Sequence, residues 1–145
     1  MEFIKKHALT IVFAQSLLAV GASLFASEVA KFPPCVLCWY QRICIYPIVI
    51  LAAIGIVRRD TNAGYYILPL SIIGLLISVF HNLLYWNIIP EAAAPCLAGI
   101  SCTTKFIEWF GFITIPFLSF LAFLVITVCT IIFIKNNKQE ASSRT

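Results

Sequence analysis

Four long apolar runs, at about 8–30, 36–57, 65–89 and 109–134, alternate with short stretches that carry most of the charge. A membrane-crossing helix needs about 20 predominantly apolar residues, and each run meets that length. The first carries a single formal charge, Glu28, near its far end, and the second carries only Arg42, about two turns in. The third has no formal charge but contains His81, and the fourth has none. None of the runs alternates between apolar and polar residues, as the strands of a closed membrane barrel would. Helices satisfy their own backbone polar groups in hydrocarbon, whereas open strands do not. The pattern therefore predicts an all-α integral membrane protein. It is expected to be a four-transmembrane-helix bundle forming one domain over residues 1–145, with connectors at about 28–35 and 90–108 on one side.

Composition narrows the picture further. The chain is 61% hydrophobic and 11% charged, against roughly 45–50% and about 25% for an average soluble domain. A water-soluble globule of this length could not bury so much apolar surface, and disordered chains have the opposite bias. The net charge of +4 is divided among short clusters instead of lying on one continuous face. Nucleic acid is therefore not an expected partner. Lys5, Lys6, Arg58, Arg59, Lys135, Lys138 and Arg144 share one side if the chain crosses four times. The other side has only Lys31 and Lys105, which lie near Glu28 and Glu108. By the positive-inside rule both termini are expected to be cytoplasmic.

Lys5 and Lys6 ahead of an apolar run also fit a secretory signal. The run is longer than a signal core, and no A-x-A site precedes Glu28, so an uncleaved anchor is expected. Residues 136–145 read as a frayed polar tail, and 106–110 as a short stretch lying at the interface. Pro47, Pro69 and Pro116 fall inside spans or their first turns, where they shape the helices.

Of the six cysteines, Cys44 and Cys129 lie within spans and read as small apolar packing residues. The other four fall on the outer side, where disulfides persist. Cys35 and Cys38 form a C-x-x-C at the opening turn of the second span, where the helix dipole favours a thiolate. Arg42, four residues after Cys38, shares its face. A cation there stabilises a thiolate or a reduced, partly anionic carbonyl compound; the alternative is that it snorkels to the headgroups. Positions 35, 38, 42, 45 and 49 form one stripe from the aqueous edge into the bilayer. Cys96 and Cys102 are separated by five residues including Gly99, a loop that can close into an exposed, exchangeable disulfide. The rival reading makes the two pairs a four-sulfur zinc site. The x5 spacing and an oxidising exterior weigh against it, and no metal is expected. His81, about two turns below the outer end of its span, either serves a ligand or proton transfer or is a neutral interhelical histidine near Asn82.

The run Cys35-Val-Leu-Cys-Trp-Tyr-Gln-Arg42 resembles the C-x-L-C-x-x-x-R signature of the DsbB family of thiol:quinone oxidoreductases. The resemblance covers nearly the whole chain and is nearest to the short BdbC type of Gram-positive bacteria. The second outer connector is much shorter than in the Gram-negative form. The resemblance implies a bacterial plasma-membrane enzyme that reoxidises an extracytoplasmic thioredoxin-fold dithiol oxidase of the DsbA or BdbD kind. Electrons would pass to a membrane quinone, menaquinone or ubiquinone. It implies that the partner's thiolate attacks the Cys96–Cys102 disulfide at Cys96, and that Cys102 then exchanges with Cys35–Cys38 at Cys35. Cys38 would deliver electrons to the quinone beside Arg42, with Gln41 a further candidate contact. A third architecture, resembling vitamin K epoxide reductase, places its C-x-x-C late in the bundle and fits less well. A non-enzymatic membrane module, with outer cysteines holding a metal or bracing an assembly, is the reading from another class.

Overall fold

The computed structural model describes residues 2–31, 34–90 and 114–143. Its elements are α1 (Glu2–Leu24), a single π-helical segment (Phe25–Val29), α2 (Val36–Arg58), α3 (Ala63–Tyr85) and α4 (Ile115–Ser143). Among the described residues, four helical stretches are long and apolar enough to cross a membrane. The helices form a ring in which α1 packs on α2, α2 on α3, α3 on α4 and α4 back on α1.

The turn from α2 to α3 is short because its backbone groups are capped locally. Arg59 adopts a left-handed conformation at φ 51°, and the Asp60 N–H reaches back to the Gly55 carbonyl at 3.0 Å. Asp60 Oδ1 then accepts from the Asn62 N–H at 2.8 Å. Such 6→1 closures end helices abruptly, so α3 must run back alongside α2. Asn137 near the end of α4 donates to the Thr61 carbonyl at 3.1 Å. A Cβ on Gly55 would meet both Ala63 and Leu9. The start of α1, the α2–α3 turn and the end of α4 therefore occupy one end of the bundle. Arg58, Arg59, Lys135 and Lys138 cluster there, and Cys35 lies at the other end.

The core is apolar and tightly filled. Leu9, Val12, Cys44, Ile45, Ile48, Ala52, Ala63, Ile67, Phe123, Ile126 and Cys129 make one buried cluster. Cys44 and Cys129 are thus packing residues with free thiols. Gly74 lets α3 and α4 approach, because the Phe123 ring occupies the space a side chain there would need. Without a hydrophobic drive between helices in lipid, close backbone approach of this kind supplies much of the association energy. Leu18, Val57, Leu76 and other large apolar side chains point outward, as a lipid-facing surface requires.

Three helix ends differ from the sequence-based expectation, the first being the start of α1 at Glu2, six residues ahead of position 8. The third helix stops at Tyr85, short of residue 89, because Asn87 takes a left-handed φ of 55°. The Ile88 N–H then closes onto the Leu83 carbonyl at 3.0 Å. Trp86, Ile88 and Ile89 are apolar, so hydropathy runs on past the true end. The fourth helix continues nine residues beyond 134, to Ser143, so the tail expected to fray is helical over most of its length. The beginning of the fourth span and the interfacial stretch at 106–110 lie outside the described residues.

Candidate active site

Cys35 is the residue immediately before α2, with an extended backbone (φ −73°, ψ 169°), and its carbonyl accepts the first helical hydrogen bond from Trp39 at 3.1 Å. Cys38 follows in the first turn, which brings the two sulfurs 3.0 Å apart as free thiols. Cys35 is buried against Leu37 and Leu84, whereas Cys38 is half-buried at the edge of that cluster. As whole residues, Cys35 is therefore the more enclosed and Cys38 the more open of the two.

α3 contributes the third member. His81 is 2% exposed, and its Nε2 lies 3.8 Å from Cys35 Sγ. Its Nδ1 has no hydrogen-bond partner among the described residues. The next residue, Asn82, does the structural work at this level. Its Nδ2 donates to the Ser78 carbonyl at 2.8 Å and to the Pro116 carbonyl at 2.9 Å, tying α3 to α4. The adjacent polar pair thus divides its tasks: Asn82 is the interhelical tie, and His81 faces the sulfurs.

Beside Cys35, the Cys38 thiol hydrogen-bonds the sulfur and, with the hydrogen bond and charge of His81, brings the Cys35 thiol down to about 4 against the opposing effect of burial. A thiol lowered this way is ionised above that value. The alkylation rate of reduced Cys35 should accordingly stay flat between about pH 6 and pH 8, where an ordinary thiol gains about tenfold per pH unit. Quantifying iodoacetamide adducts at Cys35 by peptide mass spectrometry across that range checks this. A tenfold-per-unit slope would show an unperturbed thiol.

Arg42 lies one turn beyond Cys38 and is only 8% exposed. Its side chain is enclosed within the bundle. Its Nε donates to Ser23 Oγ at 2.9 Å, and its Nη2 donates to the Ser23 carbonyl at 2.8 Å and to Ser27 Oγ at 3.0 Å. The guanidinium also sits 5.5 Å from the centre of the Trp39 ring. A buried cation is tolerated when hydrogen bonds replace its hydration; Ser23 at the end of α1 accepts two and Ser27 in the π segment a third. The π turn at Phe25–Val29 falls at this contact and sets the facing of Ser27 relative to Ser23. π-bulges recur at functional sites because they re-aim side chains in this way. Gln41, next to Arg42, is buried, and its Nε2 has no partner among the described residues.

Of the residues singled out from sequence, the fold thus gathers Cys35, Cys38 and His81 at one point and places Arg42 and Gln41 on the following turn of α2. Ile45, farther along the stripe, is buried and Val49 half-buried. Cys96 and Cys102 lie outside the described residues. Ser23 and Ser27 were not anticipated. The signal was there: two serines four apart near the end of the first span, at the depth where a buried Arg42 must find acceptors.

A C-x-x-C beside a buried histidine and a fixed arginine suits thiol–disulfide chemistry, and comparison with known proteins decides the family. The model of the disulfide bond formation protein DsbB family matches residues 5–133. The chain belongs to the DsbB family. It is 42% identical over 132 residues to "Probable disulfide formation protein C 1" of Bacillus anthracis, covering 91% of this chain and 95% of that protein. It is 41% identical over 140 residues to "Disulfide bond formation protein C" of Bacillus subtilis (strain 168), covering 93% and 99%. No solved structure matches it significantly. Membership makes this DsbB-family chain a membrane oxidoreductase of thiols and disulfides, serving disulfide generation.

Proposed function

We propose that the protein is a thiol:quinone oxidoreductase that reoxidises an extracytoplasmic thioredoxin-fold dithiol oxidase, with both termini in the cytoplasm and the redox cysteines at the outer face of a bacterial plasma membrane. The observation that carries this reading is the stacking of a buried, hydrogen-bonded guanidinium one turn beneath a reduced dithiol. The partner's thiolate attacks the Cys96–Cys102 disulfide at Cys96, forming a mixed disulfide that the partner's second thiol resolves. The partner leaves oxidised, and Cys96 and Cys102 become thiols. Cys102 next attacks an oxidised Cys35–Cys38 pair at Cys35, releasing Cys38 as thiolate, and Cys96 resolves that bond. Two electrons and two protons have then moved from the partner to Cys35 and Cys38.

A membrane quinone, menaquinone or ubiquinone, supplies a two-electron, two-proton acceptor when bound. The residues present fit such a group. Arg42 offers a fixed cation, and the unpartnered Gln41 Nε2 and the His81 ring offer nitrogen groups to carbonyl oxygens. Cys38 gives up the electron pair and Cys35 closes the disulfide onto it, while His81 holds or moves the proton at its Nε2.

Purified protein given a reduced thioredoxin-fold partner, with and without quinone, tests the reading by alkylation of free thiols. Quinone-dependent closure of both pairs is expected. Pairs whose redox state is the same with and without quinone would overturn it. Loss of a hydrogen bond to a charged group costs about 1.5–3 kcal/mol, or roughly tenfold to a hundredfold. Arg42→Ala should raise the KM for quinone by about that factor while leaving partner attack unchanged. Ser23→Ala with Ser27→Ala should shift it in the same direction. Lysine at position 42 should not rescue, since it lacks the planar fork that reaches both serines.

A further inference from the structure

Cys35 Sγ, Cys38 Sγ and a ring nitrogen of His81 all lie within 4.8 Å of one another. Tetrahedral zinc with two sulfurs and one imidazole, at bond lengths of about 2.3 and 2.0–2.1 Å, separates its ligand atoms by roughly 3.6–3.8 Å. The Cys35 to His81 distance, 3.8 Å, already has that value, and the two sulfurs need to part by less than an ångström from 3.0 Å. The cysteines share the first turn of α2 and the histidine comes from α3, so the three donors converge from two rigid elements. His81 is 2% exposed, and among the described residues its Nδ1 has no hydrogen-bond partner.

We propose that the reduced Cys35–Cys38–His81 corner binds one zinc-type d10 cation, with a fourth position left open, and that this loading blocks turnover until the metal is removed. Two metal–sulfur bonds and one metal–nitrogen bond form, waters leave the cation, and the thiols release their remaining protons. No electrons move, because zinc has no accessible redox step. The disulfide form has no thiolate to offer, so the site exists only while the pair is reduced. Binding stands on the geometry alone; the effect on turnover rests on the proposed function. The site differs from a four-sulfur cluster of the outer cysteines, since it uses one pair and a membrane-level histidine. A ligating histidine usually donates its second nitrogen to a fixed acceptor; among the described residues Nδ1 has none, a lack that weakens affinity by about 10–100-fold. The site is therefore a reversible inhibitory one, unlike a structural zinc site.

Cobalt(II) is the probe, read by thiolate-to-metal charge transfer and tetrahedral ligand-field absorption. The full-length chain carries Cys96→Ser and Cys102→Ser, so that the outer pair offers no thiolate, and is kept anaerobic with a phosphine reductant. One equivalent of cobalt is expected to bind with both spectral signatures, and zinc should bleach them. The bands should vanish in the oxidised protein and in Cys35→Ser with Cys38→Ser. His81→Ala should raise the cobalt Kd about tenfold or more. A titration without charge-transfer bands, or bands that survive oxidation or the double serine substitution, would overturn the proposal. Because binding is read without quinone or partner, its failure is distinct from failure of the proposed enzyme activity. In the unsubstituted enzyme, zinc should suppress quinone reduction and a chelator should restore it; turnover indifferent to zinc at saturating cobalt-competent concentrations would overturn the inhibitory role alone.

Discussion

Cys38→Ala protein is expected to reduce no quinone above background and, given reduced partner, to stall with Cys35, Cys96 and Cys102 as thiols. Cys38 is the half-buried sulfur on the face that leads to Arg42, and Cys35 is enclosed by Leu37 and Leu84. With Cys38 removed, Cys35 has no intramolecular partner 3.0 Å away on which to close. Alkylation of free thiols and peptide mapping after mixing with reduced partner identify the stalled form, and a spectrophotometric quinone assay gives the rate. Cys44→Ala and Cys129→Ala are the matching controls. Both thiols sit in the apolar core, so these variants should lose a little stability and keep most of their turnover. A folded but inactive Cys44→Ala protein would mean that the reactive face of α2 lies elsewhere.

Gly74→Val should weaken the bundle severely. Any Cβ at position 74 runs into the ring of Phe123, a residue 2% exposed in the centre of the core. Overpacking of a filled core costs about 1–3 kcal/mol, and here a branched side chain opposes a ring that has nowhere to move. The thermal midpoint in detergent, followed by circular dichroism, should fall well below that of the parent. Gly21→Val is the informative comparison, because nothing lies within 4 Å of a Cβ at that position. It should unfold close to the parent. Phe123→Leu in the Gly74→Val background should restore part of the loss, which a generic effect of valine on helix propensity would not allow.

The four helices were legible because each apolar run exceeds a bilayer's thickness, a property that depends on composition alone. Their ends were not. Hydropathy cannot register that Asn87 turns left-handed after an apolar stretch, nor that Lys135, Gln139 and their neighbours extend α4 where Asn137 braces the Thr61 turn. Within the site, Cys35, Cys38 and Arg42 could be read from spacing, since one helix fixes their relation. His81 drew attention as an ionisable residue in a span, yet its contact with Cys35 joins residues 46 apart and depends on how α3 is set against α2. Serine barely perturbs an apolar run, so Ser23 and Ser27 stayed hidden until the guanidinium they hold could be located.

The π turn at Phe25–Val29 makes the length of α1 as consequential as its composition. Deleting one residue there would let the segment relax into ordinary α-helix without removing a single polar group. A deletion between Ser23 and Ser27 would set the two serines three positions apart, about 60° out of line at 100° per residue. Ser27 would turn away while Ser23 stayed in place, leaving the cation half-held.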